Sequence, residues 1–250
     1  MRPTCSLLVA LAATQHSAAL SHLQPRQDAN PFEGRQLLVS SKYAESLETT
    51  KQSFEETGDT QNAGKVQFVQ ETVGTFVWVS NIALLEDIDS AIEAARSVQE
   101  ESGQEQIVGL VLYNLPDRDC SAGESSGELT FAEDGLQRYK DEYIGPFAEK
   151  VLDASDLQFA IVVEPDAVGN MVTGQDIELC ANAAEPGREA IAYAIQELQA
   201  ENIHLYLDAS NGGWLGSEEN LPLGKFRNYV SHEPVLTSFN SSRRRNGQHH

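Results

Sequence analysis

Apolar residues gather in four short runs: Phe76–Ser80 (FVWVS), Ile107–Tyr113 (IVGLVLY), Gln158–Glu164 (QFAIVVE) and Ile203–Asp208 (IHLYLD). Each is apolar at nearly every position. A strand with one wet face would alternate, so such runs read as strands of a parallel sheet buried on both faces. Between them the period turns helical, with Leu84, Leu85, Ile88, Ile92 and Ala95 on one stripe and Ile191, Ile195 and Leu198 on another. This alternation predicts an α/β fold, either an α/β barrel or an open doubly wound sheet. There is no internal repeat and no Gly-rich phosphate loop at a strand–helix junction, which disfavours the nucleotide-binding form. Ahead of the first run, Asn30–Thr57 is helix-compatible, and Gly58–Gly64 (GDTQNAG) reads as a loop from its Gly, Asp and Asn content. After Gly216 the pattern stops. Residues 217–250 carry no further strand–helix unit, and their Arg243-Arg244-Arg245 run, just after the sequon Asn240-Ser241-Ser242, departs from the acidic chain before it.

Residues 1–19 have a basic start (Arg2), an apolar stretch from Leu7 to Ala13 and small residues at Ser17-Ala18-Ala19, the layout of a secretory signal. The stretch is too short to span a bilayer, and the expected product is secreted with this segment removed. The chain carries 17 basic and 38 acidic residues, a formal charge of −21. That charge repels nucleic acid and anionic membrane, whereas a neutral polysaccharide is indifferent to it. Without the leader, and so without Cys5, the cysteines are Cys120 and Cys180. An even pair in an oxidising compartment predicts one disulfide, with two free buried thiols as the alternative. No Cys/His spacing suits zinc, His204 lies within a strand as a structural histidine, and no metal or organic cofactor is implied.

Ligands of β/α folds sit at the carboxyl ends of the strands, where loops from separate segments surround one mouth. Here the first strand carries Trp78 near its end, and the second runs into Tyr113 and a loop with Asp117, Arg118 and Asp119. The third runs into Glu164-Pro165-Asp166, and the fourth into Asp208 and, beyond it, Trp214. Carboxylates that converge raise one another's pKa, which is how an acid stays protonated and able to donate to a leaving oxygen. Aromatic faces suit the CH faces of pyranose rings. Any one strand-end acid can equally cap a helix and any one Trp can fill a core, so the chemical reading depends on convergence.

The strings VLYNLPDRDC (111–120), SAGESSGELTFAEDGLQRYK (121–140), FAIVVEPDAVGNMVT (159–173), CANAAEPGREAIAYAIQEL (180–198) and YLDASNGGWLG (206–216) resemble consecutive blocks of glycoside hydrolase family 6, of the fungal cellobiohydrolase II type. LPDRDC and VEPD resemble the family's signatures, and the resemblance covers about Asn30 to Gly216. It implies a distorted parallel β/α barrel of which about four strands are present. It further implies hydrolysis of β-1,4-glucosidic bonds in cellulose with inversion, releasing cellobiose. By position, Asp166 matches the acid that protonates the glycosidic oxygen, and Asp119 the second carboxylate, which keeps that acid protonated and helps handle the attacking water. Tyr113 matches the tyrosine under the distorted sugar, Trp78 and Trp214 match sugar-binding aromatics, and Arg118 and Asp208 match polar groups near the site. Cys120 and Cys180 match a family disulfide. The Cys120–Gly135 loop has the length that roofs a tunnel in the cellobiohydrolases. Two departures stand out. Ser210 and Asn211 in DASNGGW occupy the places of a glycine and a histidine, and residues 217–250 do not match the family's further strands. The resemblance therefore implies a partial, C-terminally truncated catalytic domain at 30–216. Its partners would be cellulose or cello-oligosaccharides, and it would be a monomer. A non-catalytic sugar-binding remnant and an inactive truncated product are the other expectations.

Overall fold

The computed structural model describes residues 30–220; the signal-like segment 1–19, the sequon and the Arg run lie outside them. The element order is β1 (Gln36–Leu37), α1 (Ser41–Glu56), α2 (Thr60–Thr72), β2 (Val77–Val79), α3 (Glu86–Ser102), β3 (Gln106–Leu112), α4 (Gly135–Arg138), a π-helical turn (Tyr139–Ile144), α5 (Gly145–Asp153), β4 (Gln158–Val163), α6 (Ala167–Thr173), α7 (Glu178–Glu197) and β5 (Ile203–Leu207). All five strands are parallel, in the order β1-β3-β4-β5 with β2 also on β3. The short strands share one edge of β3. β1 pairs with its start (Leu37↔Ile107) and β2 with its end (Trp78↔Val111).

Register decides which residues meet the helices. Val108, Leu110 and Leu112 stand beside Phe159, Ile161 and Val163, and Phe159 beside Ile203, so alternate positions line one face. These residues share a core with Ile88, Ile92 and Ala95 of α3, Phe147 and Val151 of α5, and Ile191, Ala194 and Ile195 of α7. Burial of each large apolar side chain contributes about 1.5–3 kcal/mol, which makes this face the main source of stability. On the opposite face Gly109 admits Phe76, whose ring lies 2.9 Å from where a Cβ would stand. Toward β5 that face opens into an apolar recess of about 340 Å³ lined by Phe32, Phe76, Val162, Tyr206 and Leu207. Burial on both faces thus holds along all of β3 and gives way at β5, where Tyr206 is 37% exposed. No helix of the described residues is long and apolar enough to cross a membrane.

Three expectations need correction. A fifth strand, β1, joins the four read from the sequence, and it lies within the segment expected to be helical. Pro31 and Gly34 (φ +77°) turn the chain there, and α1 starts only after Ser40, whose Oγ accepts from Tyr43 N–H at 3.3 Å. The expected loop Gly58–Gly64 is mostly helix. Only Thr57, Gly58 and Asp59 link α1 to α2, and Asp59 caps α2 by accepting from Asn62 N–H at 3.1 Å. Lastly, all four long runs leave the sheet one residue before their expected ends, at Ser80, Tyr113, Glu164 and Asp208.

Cys120, on the loop after β3, is bonded to Cys180 on α7, with Cα atoms 5.2 Å apart and a sequence separation of 60. This closes one of the two readings left open by the cysteine count. In the chain-entropy account a loop of that length is worth about 4 kcal/mol. Replacing both cysteines by alanine should lower the unfolding free energy by about that much in a denaturant titration; an unchanged midpoint would contradict it.

Candidate active site

Several residues on the loops that follow the strands hold a conformation that side chains resist. Among the described residues, the loops after β3, β4 and β5 hold Asp117 (φ 54°), Asp119 (φ 55°), Glu164 (φ 44°), Asp166 (φ 65°) and Ser210 (φ 59°) in the left-handed region. Each costs about 1–3 kcal/mol unless its surroundings fix it, and such residues concentrate where a site demands a particular geometry.

Asp166 sits directly before α6, exposed at the strand-end mouth. Its backbone N–H donates to Asp208 Oδ2 at 2.8 Å, and Ser210 N–H donates to the same oxygen at 3.1 Å. The Asp166 carboxyl is pushed above the usual aspartate range, first by desolvation among its neighbours, then by the charges of Asp208 and Asp119. Asp119 is fixed in turn: its Oδ2 accepts from Ser125 N–H at 2.7 Å. The loops after three different strands thus bring the carboxyls of Asp119 and Asp208 near enough to Asp166 for their charges to raise its pKa.

Beside them lies an aromatic and cationic cluster. Trp78, 52% exposed, meets Tyr113 edge-on with ring centroids 5.4 Å apart, and the Arg118 guanidinium stands 4.2 Å from the Tyr113 ring centre. Burial raises the Tyr113 hydroxyl above its ordinary pKa while Arg118 opposes the shift. Arg118 donates to Ser80 O and Ser125 O, each at 2.8 Å, and to Tyr113 O, which folds the Cys120–Gly135 loop back over the ends of β2 and β3. Glu128, farther along that loop, accepts from Ile82 N–H at 2.7 Å and from the Asn114 amide at 3.0 Å.

Trp214 anchors the opposite side. Its Nε1–H donates to Thr173 Oγ1 at 2.9 Å, and its ring packs on Gly169, where a Cβ would lie 2.9 Å from the ring and 2.3 Å from Ser210 Oγ. Ser210 is thus packed against α6, while Asn211 is exposed and accepts from Gly213 N–H at 3.0 Å. Ser121 Oγ donates to Asn170 Oδ1 at 2.7 Å, tying the β3 loop to α6 as the disulfide ties it to α7.

Glu164, read from the sequence only as one more acid at a strand end, turns inward instead. It is fully buried, and its oxygens accept from Asn114 N–H at 3.2 Å, Leu115 N–H at 3.0 Å and Tyr139 Oη–H at 2.8 Å. Desolvation outweighs these three donors and raises its pKa from 4.5 to about 7. The signal was available in outline: a glutamate directly after a buried strand, and two tyrosines, Tyr139 and Tyr143, spaced by one helical turn.

The profile for "Glycosyl hydrolases family 6" matches residues 32–232. The "Probable exoglucanase GH6D" of Podospora anserina is 60% identical over 221 residues, which are 88% of this chain and 50% of that protein. Among solved structures, endoglucanase CEL6B from Humicola insolens superposes with a TM-score of 0.77 at 58% identity, covering 81% of this chain and 58% of that one. Cellobiohydrolase II from Humicola insolens, solved with glucose and cellotetraose, superposes with a TM-score of 0.74 at 29% identity, covering 84% and 58%. The chain spans about half the length of the curated relatives it matches.

The buried carboxyl of Glu164 makes stability depend on pH in a defined sense. Below about 4.5 the folded and unfolded chains both hold the proton, and between 4.5 and about 7 only the folded chain does. Stability therefore falls as pH rises through that window, by about 3 kcal/mol for this group. The thermal midpoint should climb as pH is lowered from 7.5 to 5, and Glu164→Gln should flatten the climb; parallel pH curves for the two proteins would contradict the assignment.

Proposed function

Because the chain belongs to glycosyl hydrolases family 6, we propose that its strand-end mouth hydrolyses β-1,4-glucosidic bonds of cellulose with inversion. The observation that carries this reading is the Asp166 carboxyl, its pKa raised by desolvation and by two neighbouring carboxylates, at a mouth where the ring of Trp78 is exposed. Asp166 gives its proton to the glycosidic oxygen as that bond breaks. A water attacks the anomeric carbon from the opposite face and loses its proton with the help of Asp119, and Asp166 regains a proton from solvent. An inverting reaction needs its two carboxyl groups about 6.5–9.5 Å apart so that the water fits between them. Trp78, Tyr113 and Trp214 offer faces to successive glucosyl units, Arg118 fixes Tyr113, and Asp208 fixes the backbone of the acid.

The finer part of the reading is release of cellobiose. The folding of the Cys120–Gly135 loop over Tyr113 and Arg118 supports it, since a roofed site acts from a chain end. Cellulose or cello-oligosaccharides are the partners of such a site. Secretion is part of the same proposal, motivated by the signal-like residues 1–19 and by a disulfide that an oxidising compartment would sustain. The exposure of Trp78 also favours a second reading, sugar binding without hydrolysis.

Release of soluble sugar from amorphous cellulose, compared between the wild-type chain and Asp166→Asn, separates these readings. A general acid contributes about 10²–10⁴-fold, so product release should fall by that factor while binding of cello-oligosaccharides persists. Equal hydrolysis by the variant would remove Asp166 from the role of acid. Saturable binding by a wild-type chain that forms no product would establish the second reading in its place.

A further inference from the structure

The proposed reaction uses neither oxygen of Glu164, yet this side chain does what a strand would do. Backbone pairing between β3 and β4 runs through Leu112↔Val163, and Glu164 N–H still reaches Leu112 O at 2.9 Å. There the left-handed turn at Glu164 (φ 44°) takes its chain away from the sheet, leaving the next two N–H groups beyond Tyr113 without a backbone partner across the gap. The carboxylate takes both: Oε1 accepts from Asn114 and Oε2 from Leu115. Two residues past Leu115 begins the left-handed pair Asp117 and Asp119, and two residues past Glu164 stands Asp166. The clamp therefore joins the roots of the two loops that carry the carboxyl groups of the reaction.

The π-helical turn completes it. Tyr139 donates to Glu164 Oε1, and Tyr143, four residues on, donates to Val79 O at 2.5 Å and accepts from Tyr113 N–H at 3.1 Å. Both hydroxyls are raised well above the ordinary tyrosine range, chiefly by burial, and so remain donors. One helical segment thus ties the ends of β2, β3 and β4 together, which is a common setting for a π-turn.

We propose that Glu164 is a positioning residue: by clamping the Asn114–Leu115 backbone to the end of β4, it fixes where Asp119 stands relative to Asp166. The proposal rests on the reading of those two as the working pair. In its ionised state, which holds above about pH 7, all three partners of the carboxylate are donors, so an amide, which keeps one acceptor oxygen and adds an NH₂, cannot reproduce the clamp although its shape is the same.

The test uses the full chain with Glu164→Gln and, as a milder change that keeps both N–H contacts, Tyr139→Phe. Three readouts are followed: amide hydrogen exchange at Asn114 and Leu115, the titration midpoint of the Asp166 carboxyl by ¹³C NMR, and kcat and KM on a soluble cello-oligosaccharide. In Glu164→Gln, exchange at both amides should accelerate at least about tenfold while Phe159 in the sheet stays protected. The Asp166 midpoint should move down toward the ordinary aspartate range, and kcat should fall at least about tenfold with KM within about twofold. Tyr139→Phe should shift all three in the same direction by less, and it decides the matter should Glu164→Gln not fold. A folded variant whose Asp166 midpoint stays at the wild-type value overturns the proposal. A wild-type chain that hydrolyses nothing, with the midpoint shift present in the variants, sinks the glucanase reading and leaves the positioning role standing.

Discussion

Glu164 sits where two adjacent strands of the sheet separate, buried, with two backbone N–H groups and a phenol donating to it. A buried carboxylate is costly, and here desolvation exceeds what the donors return, as its raised pKa shows. The cost is accepted because removing the group would leave Asn114 and Leu115 N–H buried without partners, a comparable penalty on each. The same group also brings together loops that the bare sheet would let splay. Four of the left-handed residues at the mouth, Asp117, Asp119, Glu164 and Asp166, lie within a few residues of this clamp, and the Cys120–Cys180 disulfide braces the same loop from the helix side.

On that frame, electrostatics decides the chemistry. Asp166 stands at the open mouth, yet desolvation and then the charges of Asp208 and Asp119 push its pKa above that of an isolated aspartate. A neutral glucan would be indifferent to the formal charge of −21 across the chain, whereas at the mouth like charges add to desolvation in raising the Asp166 carboxyl. The aromatic groups complement this: Trp78 is held edge-on to Tyr113, Tyr113 is covered by Arg118, and Trp214 is fixed by its hydrogen bond to Thr173 and by the missing side chain at Gly169.

Much of this was legible before any coordinates. The runs IVGLVLY and QFAIVVE read as strands buried on both faces and form β3 and β4, and Asp119 and Asp166 lie on the loops that follow them. The strand β1 was not legible, because two residues, Gln36 and Leu37, become a strand only by pairing with Gln106 and Ile107 far along the chain. Helix α2 was hidden by its own composition: Asp59 and Asn62 look like loop residues until one caps the other's N–H. Glu164 was read as one more strand-end acid. Nothing local distinguishes a carboxylate that faces a substrate from one that turns inward to finish a β-ladder, and that difference is set by the φ of a single residue and by tyrosines on another element.

The central claim is that Asp166 and Asp119 act from opposite faces of one sugar, with a water between one carboxyl and the anomeric carbon. The most direct measurement is the anomeric form of the first product, read by ¹H NMR within the first minutes of reaction with a soluble β-1,4-linked cello-oligosaccharide. The account predicts the α-anomer, which then relaxes to the equilibrium mixture. Fresh product in the β-form would mean retention through a covalent intermediate, and would contradict it.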